Sequence, residues 1–386
     1  KITSFMDKKN LHNQVAGKER QNSMIKFMEI VCILAVIHLA AGCCKMTHLS
    51  VGYKNPQIEY SGRIDTTRID GADLYWSGTS VKINFEGTTI LALMEDETGD
   101  NYYNVIVDGA VVSMLRPSTI REYHQLASKL DKGKHTVEIF KRTEWDRGRT
   151  TFFGFQIRGD SKLLPKAPPK KRKIEFYGNS ITAGYAVEDY SGGDSPEGTF
   201  TNNYLSYAAI IARHFNAEYR CICKSGIGII ISWFPLTMPE LYDRLIPEDS
   251  TSKWDFGSFT PDIVVINLLQ NDSWLVEMPE EEEFKKKFGD TAPDEDFIIS
   301  SYKNFVSRIR KHYPEANIIC ALGNMDATRE ESEWPDYIDQ AVDELNDPKI
   351  HTHFIPFKNT PGHPDIKEQN ELANSLIRFI DNNIEW

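Results

Sequence analysis

The stretch "EFYGNSITAG", residues 175–184, runs from an apolar β-like segment into Gly178, Asn179 and Ser180, with a second glycine at Gly184. A serine at that corner sits where a buried strand opens to solvent, and the two glycines let the backbone bend and approach closely around it. Its hydroxyl is a poor nucleophile until a base takes its proton, and attack on a carbonyl also needs donors for the oxyanion. Ser180 alone reads more readily as a helix N-cap, so the chemistry depends on partners elsewhere. His351 and His353 would share a strand face at metal-ligand spacing, but no third ligand accompanies them. They read as ordinary strand histidines, and neither metal nor cofactor is expected. Of six cysteines, Cys221, Cys223 and Cys320 lie in strand-like runs as small buried hydrophobes, with no zinc pattern or disulfide framework.

Holding such a serine calls for a parallel sheet, whose strands deliver active groups at their carboxyl edge. From residue 174 to 386 the runs "KIEFYG", "EYRCIC", "DIVVINLL" and "NIICAL" lack alternation, as strands covered on both faces do. Helix-period segments follow or separate them: "YLSYAAIIARHF", "FIISSYKNFVSRIRKHY" and "ELANSLIRFI". This rhythm predicts an α/β domain of three layers, α/β/α. Residues 52–162 behave differently. There Val81, Ile83 and Phe85, then Val105 and Val107, Val137 and Ile139, and Phe153, Phe155 and Ile157 alternate with polar neighbours, and turns such as Asp108-Gly109 intervene. Period-two patterning of this kind predicts an all-β sandwich of jelly-roll type. The proline-rich and charged stretch "LLPKAPPKKRK", 163–173, is the linker.

The net charge of −12 argues against a nucleic-acid partner, which would need basic residues concentrated on one face. The run "PKKRK" at 169–173 is read as linker, and the acidic stretch after Glu277 as solvated surface. Near the start, "MIKFMEIVCILAVIHLAAGCC" from Met24 combines a basic residue, an apolar run and small residues before cysteine. Residues 24–43 resemble a bacterial lipoprotein signal peptide whose lipobox ends at Cys43, the residue that would carry the lipid. The apolar run is shorter than the ~20 residues that span a bilayer, so membrane contact is expected only through that anchor. Residues 1–23 read as upstream sequence outside the fold. The expected location is the cell envelope, lipid-anchored, or else the periplasm or exterior.

Four blocks in order resemble the SGNH (GDSL-type) hydrolases, specifically the two-domain carbohydrate esterase family 2, in which a jelly roll precedes the hydrolase domain. "GNSIT" at 178–182 matches the Gly-Asp-Ser block with Asn179 for aspartate; "KSGIG" supplies Gly226; "LLQND" supplies Asn271, with Leu269 where glycine is usual; and "TPGHP" supplies His363. The resemblance implies that Ser180 attacks an ester carbonyl and His363 shuttles its proton. It further implies that the N–H groups of Ser180 and Gly226, with the Asn271 amide, hold the oxyanion. Thr360 stands where the family's aspartate should be. The imidazole is then oriented by Thr360 itself, by Asp365, by a backbone carbonyl, or by a carboxylate distant in sequence. Leu269 narrows the space beside Asn271.

The implied activity is removal of acyl groups, acetyl foremost, from an acetylated poly- or oligosaccharide. Trp274, Trp233 and Trp334, each following a sheet strand, are candidates to stack on sugar rings, Trp274 first among them. Two rivals remain at this point: a glycan-binding protein with a decayed site, and a lipase-like acylhydrolase of the same superfamily.

Overall fold

The computed structural model describes residues 48–386, together with Met24, Lys26 and Met28. The remainder of the signal segment, including Cys43, lies outside the described residues. Among the described residues no helix is long and apolar enough to cross a membrane.

The N-terminal region is a sandwich of two six-stranded antiparallel sheets. Alternation builds it as expected: Ile139 of Lys134–Lys141 lies opposite Val81 on one neighbour and Val105 on the other, and Val137 lies opposite Ile83 and Val107. All six point into one core with Phe85, Ile90 and Met94. One phase differs from expectation. A register shift between Phe152 and Gly154, in the strand Thr150–Arg158, places Phe152 rather than Phe153 in the core with Phe155 and Ile157. An extra residue at a bulge flips every side chain on one side of it. Phe153 instead carries the Arg121 guanidinium 3.6 Å from its ring centre.

The C-terminal region contains five parallel strands: β1 (Arg172–Gly178), β2 (Ala217–Cys223), β3 (Ile263–Asn267), β4 (Asn317–Leu322) and β5 (Ile350–Phe354). They pair in the order β2-β1-β3-β4-β5. Both faces are covered, which is why these strands read as unbroken apolar runs. On one side Ile174, Phe176, Ile263 and Val265 pack with α2 (Tyr207–His214) and α6 (Ile366–Asn383). On the other, Tyr177, Val264 and Ile266 pack with α4 (Glu295–His312) and α5 (Trp334–Leu345). The chain is thus an α/β/α layered domain preceded by a β sandwich, as the sequence pattern predicts. His351 and His353 of β5 meet Asn317 of β4 and Ser375 of α6 at 3.2 and 3.0 Å.

The sandwich is joined to the α/β domain by buried polar contacts. Arg63 donates to the carbonyls of Tyr242 and Arg244 at 2.6 and 2.8 Å and pairs with Glu175 of β1 at 3.3 Å, both side chains being buried. Trp76 donates its indole N–H to the Leu245 carbonyl at 2.8 Å. Buried charges tolerate such a place only when paired and hydrogen-bonded, so the interface has little freedom to slide.

Candidate active site

Strand order decides where the site can be. In the order β2-β1-β3-β4 the connection after β1 runs to one side and that after β3 to the other, and ligands bind in the crevice outside the carboxyl ends at such a switch point. Gly178 at the end of β1 lies level with Cys223 of β2 and Asn267 of β3. Ser180 and Gly226 follow β1 and β2 within a few residues, and Asn271 follows β3 at the start of α3 (Gln270–Leu275).

The turn after β1 is tight. A Cβ at Gly178 would meet Thr182 Oγ1 at 1.9 Å, so only glycine lets the short helix α1 (Ser180–Ala183) fold back on its strand. That helix is capped by Asn179, whose side-chain oxygen accepts from the Ile181 N–H at 3.0 Å. The capping role that Ser180 could have filled belongs to its neighbour. The serine hydroxyl is left to meet His363, whose Nε2 stands 2.8 Å from Ser180 Oγ.

Asp194, not Thr360 or Asp365, orients the imidazole. Its Oδ2 lies 2.8 Å from His363 Nδ1 and its Oδ1 accepts the His363 backbone N–H at 2.8 Å. Burial alone would raise the Asp194 carboxyl, but these hydrogen bonds and the charge attraction of His363 and Lys358 hold it below its ordinary value. Thr360 accepts a hydrogen bond from Lys358 Nζ at 2.6 Å and donates to Glu368. Asp365 caps α6, accepting from the Glu368 N–H at 2.8 Å. Each is consumed by local structure.

Asp194 rides on the connection between α1 and α2, and the sandwich clamps that loop. Arg142, buried, donates to the carbonyls of Thr199 and Thr201 at 2.8 and 3.2 Å and pairs with Glu188. Arg147 donates to the Pro196 carbonyl, and Asn104 to the Asn202 side chain at 3.0 Å.

Three further donors are unspent. Among the described residues neither the Ser180 nor the Gly226 backbone N–H has a hydrogen-bond partner, and the Asn271 amide uses one N–H on the Ile227 carbonyl at 2.8 Å. A carboxamide has two, so one is free for an incoming oxygen. Gly226 has φ +82°, in the left-handed region that favours glycine. Leu269 also has a positive φ, +78°, a conformation that glycine adopts more readily. Its side chain is fully buried in the core beside Ile227 and Leu268, so it does not narrow the cleft.

Asp272, next to Asn271, shapes the chain beyond Gly226. Its carboxylate accepts the N–H groups of Ile229, Ile230 and Ile231 at 3.1, 2.6 and 3.0 Å. Burial nonetheless pushes its carboxyl up to about 6, against the pull of those N–H groups. A value raised in the fold means that its contribution to stability is present below the ordinary carboxylate range and lost as pH rises through about 6. Urea unfolding across that window should therefore show wild type losing stability with rising pH relative to a variant without this carboxyl. Asp272→Asn should flatten the slope and, by leaving one buried N–H without an acceptor, cost about 1–3 kcal/mol. An unchanged slope in the variant would reject this assignment.

The tryptophans divide. Trp233 is 44% exposed and its side chain borders Gly226. Trp274 donates its indole N–H to Asp326 at 3.2 Å and packs against the core, and Trp334 is half-buried against Phe284 and Ile231. Half-buried and tied to Asp326, Trp274 offers a less open face than the exposed Trp233.

A hydroxyl, an imidazole and a carboxylate in line, beside unspent donors at a sheet's carboxyl edge, define a serine hydrolase of the SGNH type. Residues 60–168 match the family described as carbohydrate esterase 2 N-terminal, and residues 176–366 match the GDSL-like lipase/acylhydrolase family. A solved family two carbohydrate esterase from Clostridium thermocellum, in complex with cellohexaose, shares 33% identity with a TM-score of 0.74, covering 84% of this chain and 98% of that one. The chain therefore belongs to carbohydrate esterase family 2. The cellulase/esterase CelE of Acetivibrio thermocellus is 33% identical over 348 residues, 86% of this chain, although the chain spans only 40% of that protein's length. An acetylxylan esterase / glucomannan deacetylase of Cellvibrio japonicus is 23% identical over 348 residues, with 88% of this chain and 92% of that protein covered.

Proposed function

We propose that the protein hydrolyses acetyl esters on a plant-type polysaccharide such as acetylated xylan or glucomannan. The alignment of Ser180, His363 and Asp194 carries the reading. Ser180 Oγ attacks the acetyl carbonyl while His363 Nε2 takes its proton. The oxyanion lies among the N–H groups of Ser180 and Gly226 and the free N–H of Asn271. The proton passes from His363 to the departing sugar oxygen, and a water repeats the sequence to release acetate. Trp233, exposed beside Gly226, offers a face for a pyranose ring.

The relatives' names support the substrate class, and the exposed Trp233 face supports a sugar rather than a lipid chain. An intact relay argues against the decayed-site rival. We further propose export with Cys43 as the lipid attachment point, on the strength of the signal-like segment.

Acetate released from acetylated xylan and from acetylated glucomannan, with Ser180→Ala as the blank, tests the activity. Wild type should release acetate from at least one and should prefer p-nitrophenyl acetate to the octanoate. Polysaccharide binding with acetate no higher than the blank would favour the glycan-binding rival, and preference for the octanoate would favour the lipase-like one.

A further inference from the structure

The connection between the last two long strands of the sandwich, "KRTEWDRG" at 141–148, reaches across to the hydrolase domain. Glu144 lies in it, buried, on the side of the oxyanion loop. Its Oε1 accepts the Ser225 hydroxyl at 2.6 Å and its Oε2 accepts the Ser225 backbone N–H. Ser225 immediately precedes Gly226. The Gly226 N–H belongs to the planar peptide between those two residues; with Ser225 fixed at its nitrogen and hydroxyl on one flank and the Gly226 carbonyl held by the Trp233 N–H on the other, that plane has little freedom to rotate.

The backbone that carries this carboxylate is itself pinned. Lys141, fully buried, donates its ammonium to the carbonyls of Thr143 and Glu144 at 2.9 and 3.1 Å. Ser77 donates to the Thr143 carbonyl at 3.2 Å, and Thr143 donates to Asn101 at 2.8 Å. Lys224, next along the loop, places its ammonium 3.7 Å from Glu144 and 3.0 Å from Asp146. From the opposite side Trp233 and Phe234 wall Gly226, and the Trp233 N–H donates to the Gly226 carbonyl at 3.0 Å. The loop is thus gripped between the two domains. Attachment of the domains does not depend on this grip, because Arg63 and Trp76 make their own buried contacts elsewhere.

We propose that Glu144, a residue of the sandwich, is a positioning residue for the esterase reaction: by holding Ser225 it aims the Gly226 N–H at the oxyanion. The sandwich on this view supplies part of the catalytic geometry. The inference rests on the oxyanion role assigned to Gly226.

The experiment compares Glu144→Ala, Glu144→Asp and Glu144→Gln on p-nitrophenyl acetate, with active sites counted by labelling Ser180 with a fluorophosphonate. Glutamine keeps the length and one acceptor, aspartate keeps the charge but withdraws it from Ser225, and alanine removes both. Displacement of a catalytic donor by about an ångström costs up to roughly 10²-fold. The alanine and aspartate variants should lose kcat by about 10- to 100-fold per labelled site at unchanged KM, while glutamine stays near wild type. Wild-type kcat per site in all three, with only the melting temperature lowered, would reduce Glu144 to domain glue and overturn the proposal. Glutamine as impaired as alanine would overturn it too, since charge and not geometry would then matter. Should alanine fail to fold, the aspartate–glutamine pair decides alone. Turnover in Ser180→Ala equal to wild type would remove the underlying esterase reading itself, an outcome separable from any result at Glu144.

Discussion

Asp194→Asn is expected to lower kcat by about four orders of magnitude while leaving KM and the fold nearly unchanged, the scale seen when a hydrolytic triad loses its acid. The reason is tautomeric. With a carboxylate at 2.8 Å, His363 keeps its proton on Nδ1 and presents a bare Nε2 to Ser180. An asparagine in the same place can turn its NH₂ toward Nδ1, which moves the ring proton to Nε2 and leaves no base facing the hydroxyl. Thr360→Val and Asp365→Ala are the matched controls. They should keep turnover near wild type, the latter losing only about 1 kcal/mol of stability as a helix cap is removed. Because hydrogen bonds from His363 depress the Asp194 carboxyl in the fold, its contribution to stability is full above the ordinary carboxylate range and lost as pH falls through its lowered value. Asp194→Asn should erase that part of the acid limb in an unfolding series. Turnover within tenfold of wild type would mean that His363 and Ser180 act as a dyad.

Four of the site residues could be read in the chain because each is bound to a local device. Ser180 sits on a strand-to-helix corner that only a glycine at 178 permits, and Gly226 and Asn271 follow buried strands whose apolar runs are unmistakable. His363 lies between Gly362 and Pro364 just ahead of a long amphipathic helix. Asp194 has no such marker. Its loop, "EDYSGGDSPEG", holds several acids among turn residues, and its pairing with His363 bridges 169 positions. Nothing local separates it from Asp189, which caps its own turn by accepting from Ser191 and Ser195. Tertiary clamping by Arg142 and Arg147 makes the distinction, and long-range contacts leave no periodicity to read. Phe153 fails for a related reason: a single extra residue reverses the alternation, and composition cannot say on which side of it the bulge falls. Thr360 and Asp365 attracted the assignment through proximity in sequence to His363, whereas packing gives both of them to the start of α6.

Asn271→Ala tests the other half of the apparatus, where the negative charge gathers. One amide N–H of Asn271 is committed to the Ile227 carbonyl, which fixes the plane of the group and points the second N–H along a single direction. A donor held so needs no reorganisation when charge develops, and removal of one such donor costs about 10²–10³ in kcat, or roughly 3–4 kcal/mol of barrier. The loss should fall on kcat and not on KM, because the ester carbonyl of the bound substrate carries little of the charge that the tetrahedral intermediate carries. Stability should drop by only about 1 kcal/mol for the Ile227 hydrogen bond. Asn271→Asp, equal in size, should do worse than alanine, since a carboxylate repels the oxyanion that the amide attracts. If steady-state kinetics on p-nitrophenyl acetate instead showed KM rising with kcat preserved, Asn271 would be a ground-state contact, and the burden of stabilising the oxyanion would fall on the Ser180 and Gly226 N–H groups alone.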